Sequence, residues 1–396
     1  MYIAILGRQP ALGMAELEHL YGSQNTHWFS DDTATVSTDS LFVERLGGTQ
    51  KTGRVVIELS NGDWQRVSMK IVQTYAKTWA NFDGKITLGI SAYGFTTTTR
   101  DIQKTAILLK QKLKKNDVSL RVIPNTDLAL NTATAHHNKL GLSPNKVELI
   151  VVKSPNGRIV VAESTGAQNI TALARRDQGR PKRDAFVGML PPKLALMMVN
   201  LAVQASSRKD EQDSDKKRIL DPFCGTGVIL QEAALMNYAV YGTDLVDKMI
   251  AYTTENIKWL GDSHDLTIDA TLAVGDAMDT TWKAPIDAVV CESYLGQPFS
   301  APPSPAKLDQ VRKNCNHIIS TFLQNIGSQL ATGTPLCVAI PAWKDINGGF
   351  THLPLIDQLA KLGYAHYTFT NIDDKELLYY REDQVVAREL LVLVKN

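Results

Sequence analysis

Ile219-Leu220-Asp221-Pro222-Phe223-Cys224-Gly225-Thr226-Gly227 decides how the rest of this 396-residue chain is read. A short apolar run enters an acid and then a tight turn carrying two glycines. Residues 228–235 follow as a helix. Strand, glycine turn and helix in that order form the entry to a nucleotide-type ligand site, because glycine lets backbone approach the ligand closely. Asp221, at the strand end, is placed to hold a polar or cationic group of that ligand. An ordinary strand-to-helix turn shares the pattern, so the decision rests on what surrounds it.

Downstream, apolar runs and helical patterns alternate, as in a doubly wound parallel sheet. A strand over 238–244 ends at Asp244. That acid lies ~20 residues beyond the glycine turn, where a carboxylate accepts the hydroxyls of a ribose. After a helix over 249–260, a strand over 271–274 runs into Gly275-Asp276-Ala277. There Asp276 can accept from an adenine amino group, and the Ala277 N–H can donate to a ring nitrogen. A fourth strand over 286–291 ends at Glu292-Ser293-Tyr294-Leu295-Gly296. A helix over 305–330, a strand over 336–340 and a helix over 353–362 follow, and 377–380 and 387–394 close the sheet as an antiparallel pair. The expected domain is Rossmann-like α/β with a mixed, mostly parallel seven-stranded sheet. Ligands bind at the carboxyl edge of such sheets, so these strand-end residues converge.

Length and composition set the frame. The chain exceeds a typical single domain, so two or three domains are expected. Its 44% hydrophobic and 21% charged residues match a globular protein with a sizeable core. The formal net charge is +1, so nucleic-acid binding must come from local patches. Cys224, Cys291, Cys315 and Cys337 show no CxxC spacing, which argues against a zinc site or disulfide framework and fits a reducing cytosol. The first six residues read as a strand without a basic leader, and no apolar run approaches the ~20 residues of a membrane span.

The N-terminal part reads as α+β. Strands are expected over 1–6 and 33–37, a helix over 11–21, a short helix over 41–46, and a strand or helix end over 55–59. A helix over 64–80, a strand over 85–93 and a helix over 101–115 follow. The last buries Ile102, Ala106, Leu109 and Leu113 and turns Lys104, Lys110, Lys112, Lys114 and Lys115 outward, in the first instance as a solvated face. A strand over 120–123, a helix over 127–138 and a hairpin of 147–152 with 158–163 complete this part. His136-His137 does not read as a metal pair, because adjacent helical residues diverge. Cys291 reads as a small buried strand residue rather than a nucleophile.

Residues 167–186 hold Arg175, Arg176, Arg180, Lys182 and Arg183 against Asp177 and Asp184. The segment reads either as a plain linker or as a phosphate contact, since Arg offers a planar fork of donors. Beyond Gly188 and Pro191-Pro192, a helix runs to residue 205 with Leu194, Met197, Met198, Leu201 and Ala202 as core, and 206–217 reads as a charged loop.

The glycine turn, the two acids and the fourth-strand motif together resemble a class I S-adenosylmethionine-dependent methyltransferase. A dinucleotide dehydrogenase would carry GxGxxG, whereas the third glycine position here is Leu230. Three stretches resemble a narrower family, the THUMP-domain tRNA guanine-N2-methyltransferases that modify guanosine 10 of tRNA. Arg175-Arg176-Asp177-Gln178-Gly179-Arg180-Pro181 is similar to its RDxxRP segment. Met189-Leu190-Pro191-Pro192-Lys193-Leu194-Ala195, with Val199-Asn200-Leu201-Ala202, is similar to its helix motif. Asp221–Gly227 is its DPFCGTG motif without a mismatch.

The resemblance implies S-adenosylmethionine held by Asp221, Phe223, Gly225, Thr226, Gly227, Asp244, Leu245, Asp276, Ala277 and Pro191. It implies a cytoplasmic tRNA partner contacted by Arg175, Arg176, Arg180, Lys182 and Arg183, with no metal and no membrane, the chain working alone or with an accessory protein. It also implies a division into a ferredoxin-like unit (1–60), a THUMP-like RNA-binding domain (61–165), a basic linker (166–185) and a methyltransferase domain (186–396). The target base is flipped into the pocket. The family's DPPY-type motif then holds the exocyclic amine, its acid and a backbone carbonyl accepting the N–H groups while its aromatic stacks on the base.

This chain departs from that motif. Glu292 replaces the acid and is one carbon longer, both prolines are absent, and Tyr294 is displaced by one position. Glu292 and Tyr294 remain the expected catalytic residues. The departure leaves guanosine N2 methylation first, another RNA base second, and a catalytically weak tRNA-binding protein third.

Overall fold

The computed structural model describes residues 1–184, 190–203, 216–299, 301–345 and 348–396. The chain divides into two compact units, Met1–Ala172 and Leu173–Asn396. The 206–217 loop lies almost wholly outside the described residues, as do Phe186, Gly188 and Met189.

In the first unit, β1 (Tyr2–Leu6), β2 (Thr26–Ser30), β3 (Thr33–Val36), β4 (Thr49–Leu59), β5 (Lys85–Tyr93), β6 (Ser119–Val122), β7 (Lys146–Lys153) and β8 (Ile159–Ala167) form one sheet. Its order is β2-β3-β1-β4-β8-β7-β5-β6. Strand β5 runs parallel to β6 and β7, and the other neighbours are antiparallel. Strands from 1–60 and from 61–165 thus share a sheet, because the long β4 pairs with β1 on one side and β8 on the other. Residues 55–59 are the end of that strand, and the helix expected over 41–46 is only a 3₁₀ turn at Val43–Arg45.

Four helices serve this sheet: α1 (Pro10–Tyr21), α2 (Trp64–Thr78), α3 (Thr99–Lys114) and α4 (Thr132–His137). Asp63, Thr98 and Asn131 cap the last three by accepting backbone N–H groups left unpaired at the helix start. Helix α3 buries Ile102, Ala106, Leu109 and Leu113 as its spacing predicts, and its lysines are exposed. The helix expected over 127–138 shrinks to α4. The backbone before it is a series of bends bonded to β5, with Leu128 O accepting from Ala92 N and Leu130 N donating to the Ser91 hydroxyl.

A buried ion pair anchors this arrangement. Lys51 on β4 and Glu148 on β7 are 1% and 0% exposed and hydrogen-bond each other. Lys51 Nζ also donates to Leu130 O (2.6 Å), and Ser91 Oγ donates to Glu148 (2.5 Å). Removing one partner of such a pair strands a buried charge.

Helix α5 (Ile170–Gln178) spans the boundary between the units, and in the second unit α6 (Pro192–Ala202) precedes the sheet. Its strands are β9 (Arg218–Asp221), β10 (Ala239–Asp244), β11 (Ala270–Val274), β12 (Ala288–Glu292), β13 (Pro335–Lys344), β14 (Phe350–Thr351), β15 (Tyr364–His366), β16 (Leu378–Tyr379) and β17 (Val386–Lys395). Seven lie along the path β11-β10-β9-β12-β13-β17-β15, while β14 pairs with β13 and β16 with β17. Strands β9 to β13 are parallel and β17 is antiparallel, so the sheet is mixed and mostly parallel. One expectation changes: the neighbour of β17 at the sheet edge is β15, and 377–380 contributes only the two-residue β16. Strand β15 has three residues after Gly363, too few to show alternation. The helix expected over 353–362 is a 3₁₀ turn at Pro354–Gln358.

Helices α7 (Val228–Leu235), α8 (Asp247–His264) and α9 (Pro305–Gly327) complete the unit. Helix α6 is buried at every residue but Lys193 and packs on α7, β12 and β13. Phe322, Ile319, Leu323 and Trp343 centre the apolar core on the α9 side. The chain steps from β9 through β10 to β11, then crosses to the other side of β9 to form β12. That switch opens a crevice where Asp221 and Glu292 end neighbouring strands.

Substituting Lys51→Met should cost ~3–5 kcal/mol by stranding Glu148, and adding Glu148→Leu should recover most of the loss. Urea unfolding of the full chain checks this; a single-variant cost under ~1 kcal/mol contradicts the account.

Candidate functional site

The glycine turn is held from three directions. Cys224 N–H donates to Thr243 O (2.9 Å), and Gly227 N–H donates to Cys224 O (2.7 Å). From α8, Thr253 Oγ1 donates to Gly225 O (2.7 Å) and Asn256 Nδ2 donates to Thr226 O (2.9 Å). From β10, the Asp244 carboxylate accepts from Gly225 N (2.9 Å) and from Val246 N (3.0 Å). Gly225 and Gly227 have φ of +51° and +80°, the left-handed region that other residues avoid. At Gly227 a Cβ would also meet Thr253 Cγ2 at 2.7 Å.

A cavity of about 370 Å³ opens over this turn. Asp221, Phe223, Gly225 and Thr226 line one side, Asp244, Val246 and Met249 another, and Glu292 through Gly296 the far end. The structure therefore brings together Asp221, Phe223, Gly225, Thr226, Asp244, Glu292 and Tyr294. It does not bring Gly227, Leu245, Asp276, Ala277 or Pro191 into the cavity wall. Gly227 lies beneath the turn against Thr253. Leu245 is 65% exposed, and Leu190 lines the wall instead of Pro191. The Asp276 carboxylate accepts from Met278 N (2.9 Å), and Ala277 is buried with its carbonyl accepting from Asn325 Nδ2 (3.1 Å).

Three carboxylates face this one cavity, and burial disfavours the charge of two of them, Asp221 and Glu292. Asp221 is 2% exposed. Burial raises its pKa well above the carboxylate range, the Phe223 N–H opposes this, and the charges of Asp244 and Glu292 add to it. A cationic group entering the cavity would favour the ionised form. Glu292 is raised by burial and drawn back by Arg388, whose Nε hydrogen-bonds Glu292 Oε1.

Strand register explains that pair. Glu292 stands opposite Ala339, and Pro341, on the same face of β13, stands opposite Arg388 of β17. Their side chains meet across β13. Glu389 points to the other face and accepts from or donates to His352 Nδ1 at 2.8 Å. The residue after Glu292 is committed to the fold, since Ser293 N and Oγ both donate to Ala339 O at 2.9 Å. Tyr294 is 41% exposed at the cavity's end.

The basic segment 173–184 lies against α7 and α8. Arg176 forms a two-point pair with Glu232 of α7 (Nε–Oε1 2.6 Å, Nη2–Oε2 3.1 Å), and Glu232 is 2% exposed. Lys182 exchanges two backbone hydrogen bonds with the Asn256 amide, each 2.9 Å, so one side chain ties this segment to the glycine turn. Arg175 stacks over Trp259, and Lys182 lies over Tyr252. Arg180 is buried, with no hydrogen-bond partner for its guanidinium among the described residues; burial lowers its pKa. Only Arg175 and Arg183 of the five expected basic residues are exposed.

Sequence reasoning did not identify Thr253, Asn256 or Arg388. The first two are polar residues three apart on the face of α8 that also carries Met249 and Leu260. Arg388 is a buried cation at the start of a strand whose later residues 390–394 are all apolar. Both were visible signals.

Comparison with known proteins places this geometry. Residues 213–371 match the family described as Methyltransferase domain. The chain is 35% identical over 173 residues to the tRNA (guanine(10)-N2)-dimethyltransferase of Methanothermobacter thermautotrophicus, covering 43% of this chain and 44% of that protein. It is 38% identical over 112 residues to the enzyme of that name from Pyrococcus abyssi, covering 28% and 26%. The chain thus matches less than half the length of these curated relatives. Among solved structures, TrmN from Thermus thermophilus shares the fold over 100% of this chain and 99% of its own, with a TM-score of 0.52 at 15% identity. A possible methylase from Clostridium difficile 630 does so over 98% and 97%, with a TM-score of 0.51 at 12% identity.

Arg176→Met should cost ~3–5 kcal/mol at neutral pH by leaving Glu232 buried and unpaired. Burial already raises the Glu232 pKa, so its neutral form suits the fold. Stability linked to a raised pKa is present at low pH and lost as pH rises through the folded value. The variant's deficit should therefore shrink as pH falls from 8 toward 5, and thermal melts across that range check it. Within the second unit, residues 213–371 are thus similar to the Methyltransferase domain family, and the curated relatives that the chain resembles in sequence carry the name tRNA (guanine(10)-N2)-dimethyltransferase.

Proposed function

We propose that this protein transfers a methyl group from S-adenosylmethionine to the exocyclic N2 amine of a guanosine in tRNA. The observation that carries this reading is the convergence of Asp221, the Gly225 turn, Asp244 and Glu292 on one cavity in a methyltransferase-type sheet.

The residues suit the cofactor. Two glycines with positive φ leave backbone where a Cβ would stand. The cavity volume falls in the ~300–1,000 Å³ range of small-molecule sites. Both Asp244 oxygens already accept a backbone N–H, and each carboxylate oxygen retains a further lone pair for a ribose hydroxyl. Asp221, buried beside two acids, favours a cationic ligand. When bound, S-adenosylmethionine supplies an electrophilic sulfonium methyl. The chain's task is then positioning: Glu292 accepts from the acceptor's N–H groups and Tyr294 offers a face for the base, so that the nitrogen lone pair meets the methyl in line.

The first unit is proposed as a ferredoxin-like and THUMP-like RNA-binding region. The exposed lysine face of α3 offers local positive charge there, and Arg175 and Arg183 are exposed on the second unit, on a chain of net charge +1. The proposed site of action is tRNA in the cytoplasm, and because the sulfonium methyl is itself the electrophile, in-line transfer calls on no metal. Among the described residues no helix is long and apolar enough to cross a membrane.

Mass spectrometry of nucleosides from tRNA incubated with the protein and S-adenosylmethionine tests the reading. N2-methylated guanosine should appear, and Asp244→Ala should abolish it while weakening cofactor binding at least ~10-fold by calorimetry, the loss of one charged hydrogen-bond acceptor. Methylation of a different base favours another RNA target. Tight tRNA binding with no methyl incorporation favours a non-catalytic tRNA-binding protein.

A further inference from the structure

We propose that Arg388 makes the cavity selective for guanine by presenting Glu292 to the acceptor base as an ionised, acceptor-only group. This rests on the methyltransferase reading above and adds a determinant of which purine edge is accepted.

The geometry is specific. Arg388 Nε engages Glu292 Oε1 from across β13, and the two side chains are 10% and 14% exposed. Glu292 lines the cavity. No second hydrogen bond to either side chain is present among the described residues, so Oε2 is available to the acceptor. Arg388 is also an unexpected residue for its place, a nine-tenths-buried cation in a strand whose following residues run Leu-Leu-Val-Leu-Val after Glu389.

The chemistry follows from donor and acceptor patterns. Guanine presents two neighbouring donors on its Watson–Crick edge, the N1–H and an N2–H. A carboxylate, which only accepts, complements both. Adenine and 2-aminopurine present an amino N–H beside a bare ring nitrogen, which accepts. Their complement is a group that both donates and accepts, such as a protonated acid or a carboxamide. The protonation state of Glu292 thus determines which edge fits.

Burial pushes Glu292 toward the neutral form, and Arg388 opposes it by charge and hydrogen bond. The other ionisable groups around Glu292 do not help. Asp221 on β9 and Asp244 on β10 are acids lining the same cavity, Cys291 is a buried thiol with a raised pKa, and Tyr294 is a phenol. Among these neighbours Arg388 is the single cation. Arg388 is therefore a positioning residue, acting through Glu292.

The test compares a tRNA that the wild-type chain methylates with the same tRNA carrying 2-aminopurine at the modified position. That base keeps the N2 amine and lacks the N1–H. The wild type should favour guanosine at least ~100-fold in kcat/KM, because 2-aminopurine leaves a buried carboxylate facing a lone pair. Glu292→Gln should reverse the order, a change in the ratio of the two bases that a general loss of activity would not produce. Arg388→Met should narrow the ratio ~10-fold or more and move the acid limb of kcat to higher pH, and Arg388→Lys should restore both in part. In the wild type itself, lowering pH through that limb should raise 2-aminopurine relative to guanosine, an arm that needs no variant to fold.

A ratio that stays fixed with pH, or that survives Glu292→Gln while the rate falls, overturns the proposal and leaves the methyltransferase reading intact. A wild-type chain that binds cofactor but methylates no guanosine overturns the reading and the proposal with it.

Discussion

The Asp244 carboxylate holds the second unit's site together. It ends β10 and accepts from the Gly225 N–H of the turn that follows β9. That contact joins two parallel strand ends at the point where backbone must stay open for a ligand. Thr253 and Asn256 complete the clamp from α8 by donating to the two carbonyls of the same turn. Most of the turn's peptide groups that leave the sheet ladder find a partner here, as buried backbone polar groups require. A turn held in this way is preorganised: its left-handed glycines are set before a ligand arrives, and binding need not order them.

The same region concentrates negative charge. Asp221, Asp244 and Glu292 share one cavity, and Asp221 and Glu292 end adjacent strands of the switch crevice. Three acids in one partly buried space are costly unless some are neutral, paired or met by a cation. The chain uses two of these remedies with its own atoms. Asp244 is satisfied by backbone N–H groups, and Glu292 is met by Arg388. Among the described residues Asp221 has only the Phe223 N–H, which makes it the group most responsive to a cationic ligand.

The basic segment shows how charge count and charge use differ. Arg175, Arg176, Arg180, Lys182 and Arg183 read alike in sequence, yet their settings diverge. Arg176 neutralises the buried Glu232, Arg180 is itself buried, and Lys182 has its backbone tied to Asn256. Arg175 and Arg183 keep exposed side chains. A residue already bonded to a buried carboxylate gains little from a phosphate. Much of this segment's positive charge therefore serves the fold of the second unit.

Sequence by itself determined the parallel strands β9 to β13, the glycine turn and the acids that end β9 and β10. These are local patterns: alternation, apolar runs, glycine and a strand-end acid lie within a few residues of each other. It also placed Glu292 and Tyr294 at the end of β12. Tertiary structure alone decided which strands join over long distances, as when β4 merges the two expected N-terminal pieces into one sheet. It also decided that the three-residue β15 borders β17. The partners of the site's key polar groups were likewise out of reach: Arg388 meets Glu292 across 96 residues of chain, and Thr253 and Asn256 meet the turn across 28 and 30. No local period encodes such pairs, because they exist only when the sheet register sets strands side by side and turns both groups to one face.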